Sequence, residues 1–173
     1  MNSKDYLVAD GGALHVLDAF NFGVGAFTNI NGFPYQSAAA KPIKSAPWVD
    51  SSTGAACCGD DGGNLYAVTG SGANQTGYQL AISSGSKLSS TPIYRHGGGV
   101  VAIGGSDGYV YFVDRRNASG VPAVFGRFAA TVSDSISSVA YDANISSYMV
   151  SSSDGKLVFV NAADVADPTP GTE

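Results

Sequence analysis

Apolar residues along this chain occur in short consecutive runs that are separated by glycine-rich turns. One segment type occurs four times, as ADGGALHVLD (9–18), DDGGNLYAVT (60–69), SDGYVYFVD (106–114) and SDGKLVFVN (153–161). An Asp-Gly or Gly-Gly pair between two β-rich runs is typical of a tight hairpin, because glycine adopts a positive φ at no steric cost. The pattern therefore predicts four hairpins, centred on residues 6–18, 55–69, 100–114 and 148–161.

Aspartate and glycine are the residues expected to form the turns of these hairpins. Aspartate favours turns because its side chain competes for nearby backbone groups, and glycine supplies the positive φ. Asp60 adjoins one of the turns and belongs to the same pattern. The predicted turn residues are Asp10, Gly12, Asp61, Gly63, Asp107, Gly108, Asp154 and Gly155.

A second landmark precedes three of the hairpins at a fixed distance. It reads KSAPWV (44–49), SSTPIY (89–94) and SSVAYD (137–142). The same 18-residue offset separates Pro47 from Leu65, Pro92 from Val110 and Val139 from Leu157. A constant offset within units, with variable spacing between them, predicts a repeated structural unit joined by loops of different length.

The runs are apolar at consecutive positions, so both faces of each strand are expected to be covered. Small antiparallel sheets stacked face to face around an axis satisfy this requirement, and that arrangement is a β-propeller. We therefore predict an all-β chain of four-stranded antiparallel blades. Residues 1–173 form one propeller-type repeat domain, in which 162–173 are a C-terminal loop or tail.

Four hairpins with three landmarks predict three complete-to-partial units plus a half unit, which form an incomplete ring. Propellers have about four to eight blades, and an open arc leaves apolar end faces. Three explanations remain open. The chain is part of a longer propeller, two copies join head to tail into a ring of about seven or eight blades, or a small ring closes on itself.

Composition supports a turn-rich β chain. Of 173 residues 23 are glycine, and 13 of the 14 acidic residues are aspartate rather than the helix-favouring glutamate. A net charge of −5 with nine scattered basic residues argues against nucleic-acid binding. No apolar run approaches the roughly 20 residues of a transmembrane helix, and the N-terminus does not have the pattern of a signal peptide. Low charge and abundant serine, glycine and asparagine favour an extracellular, periplasmic or cell-surface location over the cytoplasm.

The phrase SSTPIYRHGGGVVAIGGSDGYVYFVDRRNASG (89–120) resembles the repeat of quinoprotein-type propellers. That family includes pyrroloquinoline quinone (PQQ) dehydrogenases and non-catalytic outer-membrane assembly lipoproteins. Propeller domains of pilus-tip adhesins are similar, and DGGALHVLD (10–18) resembles their blades. The resemblance implies a propeller fold and, for the non-catalytic branch, a binding or scaffold role without a cofactor.

Adjacent cysteines at Cys57 and Cys58 have two interpretations. The resemblance implies a vicinal disulfide, because PQQ dehydrogenases carry an adjacent cysteine pair beside the cofactor. The repeat, however, aligns the pair with Ala102-Ile103 and Met149-Val150, in the strand before the turn. That alignment favours two buried thiols that pack as small apolar residues.

Other chemical motifs are weaker. The GGSDG segment (104–108) matches the nucleophile elbow of hydrolases, but its place in the repeat predicts a hairpin turn. The turn aspartates lack the spacing of a calcium loop, and His15 and His96 lack that of a zinc site. We therefore predict no catalytic, cofactor or metal residues.

Trp48, Tyr94 and Arg95 follow the proline landmarks at equivalent places. They are a candidate binding rim, with packing between blades as the alternative. The sequence thus predicts a non-catalytic propeller module that binds or scaffolds a protein or cell-surface partner, a glycan, or a second copy that completes the ring. The alternatives are a fragment of a PQQ-dependent dehydrogenase, which needs a calcium site and a ring-stacking tryptophan, and a sugar-binding lectin propeller.

Overall fold

The structure is a computed structural model that describes ten stretches of the chain. They are residues 4–8, 12–18, 32–37, 40–49, 55–69, 74–83, 85–95, 99–115, 122–130 and 134–165. These residues contain β-strands and no helix, so the prediction of an all-β chain is confirmed for the described stretches. They accordingly include no helix with the length and hydropathy needed to cross a membrane.

The strands form four antiparallel sheets, which come one after another along the chain. Sheet I contains β1 (Lys4–Val8) and β2 (Leu14–Asp18). Sheet II contains β3 (Trp48–Val49), β4 (Ala56–Gly59), β5 (Asn64–Val68) and β6 (Asn74–Ala81). Sheet III contains β7 (Ile93–Arg95), β8 (Val100–Gly104), β9 (Tyr109–Asp114) and β10 (Ala123–Ala129). Sheet IV contains β11 (Ile136–Asp142), β12 (Ser147–Ser152) and β13 (Leu157–Asn161).

The central hairpins of sheets II, III and IV share one turn geometry. In sheet II, the amide of Asp60 donates to the carbonyl of Asn64 at 3.0 Å, and the amide of Gly63 donates back to Asp60 at 3.3 Å. This is a type I turn followed by a residue in the left-handed region, which glycine tolerates best. A glycine with φ between 78° and 83° occurs in the hairpin of every sheet, at Gly12, Gly63, Gly108 and Gly155. Asp10 lies outside the described residues.

The serine of the proline landmark ties the start of each complete unit to its second strand. The buried hydroxyls of Ser45 and Ser90 accept hydrogen bonds from the amides of Gly59 and Gly104, at 2.6 and 2.7 Å. A Cβ on Gly104 would lie 2.2 Å from Ile136 at the start of sheet IV. The glycine therefore allows the next sheet to approach closely.

Buried side chains fill the spaces between successive sheets. Between sheets I and II lie Leu14, Tyr35, Ile43, Ala56, Cys58, Tyr66 and Val68. Between sheets II and III lie Ala55, Cys57, Leu65, Ala67, Leu88, Val101, Ile103, Tyr111 and Val113. Between sheets III and IV lie Val100, Ala102, Val110, Phe112, Ile136, Val139, Tyr148, Val150, Val160 and Ala162. The strands β5 and β9 are therefore covered on both faces, which explains their consecutive apolar residues.

Sheet IV differs on the face directed away from sheet III. Leu157 is 60% exposed and Phe159 is 56% exposed, whereas the repeat-equivalent Leu65 and Val110 are completely buried. The last sheet therefore presents an apolar face to solvent. Residues 166–173 of the expected C-terminal tail lie outside the described residues.

Candidate functional site

A cleft opens where the first strands of sheets II, III and IV lie side by side. It has a volume of about 390 Å³, within the usual range for ligand sites. Its lining consists of Trp48 from β3, Ile93 and Tyr94 from β7, Ala140 and Tyr141 from β11, and Ala143 beyond β11. The three large aromatic side chains are half-buried, so part of each ring packs against the protein and part is accessible from the cleft.

Two aromatic rings of the cleft contact each other, and two guanidinium groups pack against rings of the cleft. The rings of Trp48 and Tyr94 have their centres 5.2 Å apart at an angle of 42°. The Cζ atom of Arg115 lies 5.0 Å from the centre of the Tyr94 ring, and that of Arg95 lies 5.6 Å from the Tyr141 ring. Both distances suit a cation–π interaction, which orients the rings and places positive charge beside them.

The strand register gives the same alignment of the rim as the proline landmarks. Trp48 pairs with Cys57, Ile93 with Ala102 and Ala140 with Met149, so these three first-strand residues are equivalent. Trp48 is therefore the counterpart of Ile93, as the one-residue distance of each from its landmark proline also indicates, and Tyr94 lies one residue further along. The two rings nevertheless meet, because they extend into the same space between sheets II and III.

The sequence-based prediction missed Tyr141, which lines the cleft, and Arg115, which lies against the Tyr94 ring. Tyr141 follows the Val139 landmark at the same two-residue distance as Tyr94 follows Pro92, so the repeat contained the signal. Arg115 follows β9, and nothing in the local sequence relates it to β7. Its contact with Tyr94 arises from strand pairing, which places the end of β9 beside the beginning of β8 and hence near β7.

Cys57 and Cys58 are buried and are not joined by a disulfide. Cys57 faces sheet III and Cys58 faces sheet I, because successive residues of a strand point to opposite faces. Burial, with smaller contributions from Cys57 and Asp60, raises the pKa of the Cys58 thiol. Each cysteine therefore packs into a different core. The two sulfurs are not bonded to each other because the two side chains point to opposite faces of the sheet.

The turn aspartates are engaged within or beside their own hairpins. Asp61 pairs with Lys44 at 2.8 Å, and Asp154 contacts Lys156, whose hydrogen bond lowers the pKa of Asp154 to about 2. Ser106 of the GGSDG segment accepts a hydrogen bond from the amide of Lys87 at 2.9 Å. Among the described residues, no three His, Cys, Asp or Glu side chains are grouped as metal ligands. His96 lies outside these residues.

A tyrosine hydroxyl is bonded to a turn carboxylate in both four-stranded sheets. Tyr66 donates to the buried Asp60 at 2.9 Å, and the equivalent Tyr111 donates to Asp107. Burial, reinforced by the adjacent carboxylate, raises the pKa of both phenols. In sheet IV the equivalent residue is Val158, so Asp154 lacks this partner.

We expect these tyrosines to make the protein less stable at alkaline pH. Their native pKa values exceed the unfolded value of about 10, so the folded state holds more protons there and stability declines as pH rises above that value. Urea unfolding between neutral pH and pH 11 measures the slope. Tyr66→Phe should reduce the dependence of the unfolding free energy on pH in this range, whatever its effect on stability at neutral pH. An identical slope in wild type and variant would contradict this assignment.

Comparisons with known proteins identify the fold. No protein-family model matches the chain, and no curated protein matches it. The computationally designed Ika4 protein is similar with a TM-score of 0.66 at 12% identity, covering 93% of this chain and 86% of that chain. The designed Ika8 protein gives 0.63 at 14% identity, covering 93% and 44%. Raptor from Chaetomium thermophilum gives 0.71 at 12% identity, covering 92% and 14%. At this identity the likeness shows a β-propeller-type fold alone.

Proposed function

We propose that this chain is a non-catalytic binding module and that the cleft of Trp48, Tyr94 and Tyr141 is its ligand surface. One observation carries the proposal: aromatic rings from three successive sheets line a single cleft, with two guanidinium groups against them. Tryptophan, tyrosine and arginine are the residues that most often dominate binding energy at protein interfaces.

The ligand that best fits this surface is an extended polypeptide segment with an acidic residue beside an aromatic or apolar one. The half-buried rings of Trp48 and Tyr94 supply apolar contact area at low cost in side-chain entropy. Arg95 and Arg115 place guanidinium groups against the Tyr141 and Tyr94 rings of the cleft, in a chain whose net charge is −5. A local positive potential favours carboxylates, which guanidinium groups bind strongly.

Two other ligand classes are suggested by the sequence. A glycan is favoured by the accessible rings of Trp48 and Tyr94, because sugar rings stack on aromatic faces. PQQ with calcium is suggested by the resemblance to quinoprotein repeats. A location outside the cytoplasm is part of the same proposal, and its support is the low charge content and that resemblance.

Selection from a random peptide library displayed on phage tests the peptide proposal. We expect enrichment of peptides that carry acidic and aromatic residues, with affinity reduced about tenfold or more by Trp48→Ala or Tyr94→Ala. Tyr109→Ala is the matched control. Arg127 lies 4.5 Å from the Tyr109 ring, as Arg115 does beside Tyr94, but Tyr109 does not line the cleft.

The outcomes separate the three ligand classes. Peptides that bind wild type and Trp48→Ala equally would contradict the assignment to the cleft. Strong hits on a glycan array that depend on Trp48 would replace the peptide with a sugar. A rise in melting temperature with PQQ and calcium would favour the quinoprotein alternative. Circular dichroism of each variant distinguishes a lost contact from a lost fold.

A further inference from the structure

The outer face of sheet IV is built like an internal face of the repeat, although no described residue of this chain covers it. Leu65 and Ala67 of β5 pack against Tyr111 and Val113 of the next sheet. In the same way, Val110 and Phe112 of β9 pack against Val158 and Val160. Leu157 and Phe159 occupy these same two positions of β13 but are exposed. The surface that fits them is therefore the preceding face of another sheet of this repeat.

Sheet I carries the complementary kind of face. Leu14 is buried against sheet II, and Val16 is buried two residues along the same strand. Alternation along β2 places His15 on the opposite face. His15 is equivalent to Tyr66 and Tyr111, which pack towards the preceding sheet. Sheet IV therefore exposes the kind of face that packs against the next sheet of the repeat. Sheet I carries the kind of face that packs against the previous sheet.

We propose that sheet IV docks on sheet I of a second copy of this chain, so that two copies join head to tail in one closed ring. The exposure of Leu157 and Phe159 shows that sheet I of the same chain does not cover them. Two unlike faces on one molecule form a heterologous contact, which closes a ring when the rotation permits. The contact continues the sheet-on-sheet packing already present between sheets III and IV.

Light scattering after size exclusion tests the assembly at micromolar concentration. The expected mass is twice 17.5 kDa, or 35.0 kDa. Phe159→Ser and Leu157→Ser should each shift the mass towards 17.5 kDa with unchanged circular dichroism, since both side chains are exposed in the single chain. Ile145→Ser is the matched control, because Ile145 is 53% exposed but lies in the turn between β11 and β12. It should leave the dimer intact.

Cross-linking identifies the two faces. Asn161 lies on the same exposed face of β13 as Phe159, so Asn161→Cys leaves Leu157 and Phe159 in place. In a variant with both His15→Cys and Asn161→Cys, a short bismaleimide should join different chains, as it should in a mixture of the two single variants. Wild type is the background, because Cys57 and Cys58 are buried. A monomeric wild type, a cross-link within one chain, or cross-linking of Asn161→Cys alone would each overturn the proposal. The last two results would indicate a small closed ring and a face-to-face dimer, respectively.

Discussion

Gly63→Ala is expected to destabilise the protein by about 3 kcal/mol or more, whereas Gly155→Ala should cost only about 1–2 kcal/mol. Both glycines occupy the same place in the hairpin turn, with φ of 83° and 82°. The left-handed backbone therefore penalises a Cβ equally at the two sites. The surroundings differ, because a Cβ at Gly63 would lie 2.0 Å from the carbonyl oxygen of Ser83, while at Gly155 nothing lies within 4 Å.

Urea unfolding of the two variants measures this difference. The strain of a Cβ in the left-handed backbone is the same in both variants. The additional loss of stability in Gly63→Ala therefore measures the clash with the segment after β6. An equal loss of stability in the two variants would contradict the close approach of that segment to the turn. Because both substitutions are made at one repeat position, the difference needs no assumption about the absolute strain.

Asp60→Asn should lower the free energy of unfolding by about 3 kcal/mol, because it removes a buried acceptor on which several donors converge. The carboxylate of Asp60 is fully buried and accepts hydrogen bonds from the amides of Gly62 and Asn64, at 2.8 and 2.9 Å. Its second oxygen accepts from the Asn64 side chain and from the Tyr66 hydroxyl, each at 2.9 Å. An asparagine would direct an amide NH₂ group at one of these donors.

Asp61→Asn is the matched control one residue away. Asp61 pairs with Lys44 at 2.8 Å and with Lys87 at 3.9 Å, and both lysine side chains are largely exposed, so the substitution should cost about 1 kcal/mol or less. Denaturant unfolding at neutral pH compares the two variants. Similar losses at both positions would show that Asp60 does not organise the turn as its contacts indicate.

The repeated hairpins were predictable because they are local. A glycine at each turn and apolar runs on either side specify two paired strands within about fifteen residues, and no distant contact is needed. The consecutive apolar positions also indicated coverage on both faces, which the structure shows for β5 and β9. The fold class could therefore be predicted from the sequence.

The cleft was less predictable because it forms between repeats. Arg115 lies far along the chain from Trp48, and the placement of each sheet determines which rings meet. Trp48 is equivalent to Ile93 rather than Tyr94, in the landmarks and in the strand register alike, so the two rings that meet do not occupy equivalent positions. Side-chain contacts across sheets depend on that register, because a shift of one residue reverses the face.

The local pattern also failed to distinguish a covered sheet from an uncovered one. Leu157 and Phe159 have the same character as Val110 and Phe112, yet only the latter pair is buried. Burial of an end face depends on whether another sheet packs against it, and the sequence of the repeat does not specify that neighbour.

Trp48 is the only tryptophan of the chain, so its fluorescence reports directly on the cleft. Titration with a selected acidic and aromatic peptide should change the intensity or wavelength of Trp48 emission in a saturable way, with the dissociation constant found by calorimetry. Tyr94→Ala should weaken both signals together, and Tyr109→Ala should leave them unchanged. Calorimetric binding without any change in Trp48 emission, and with full affinity in Tyr94→Ala, would contradict a ligand site in this cleft.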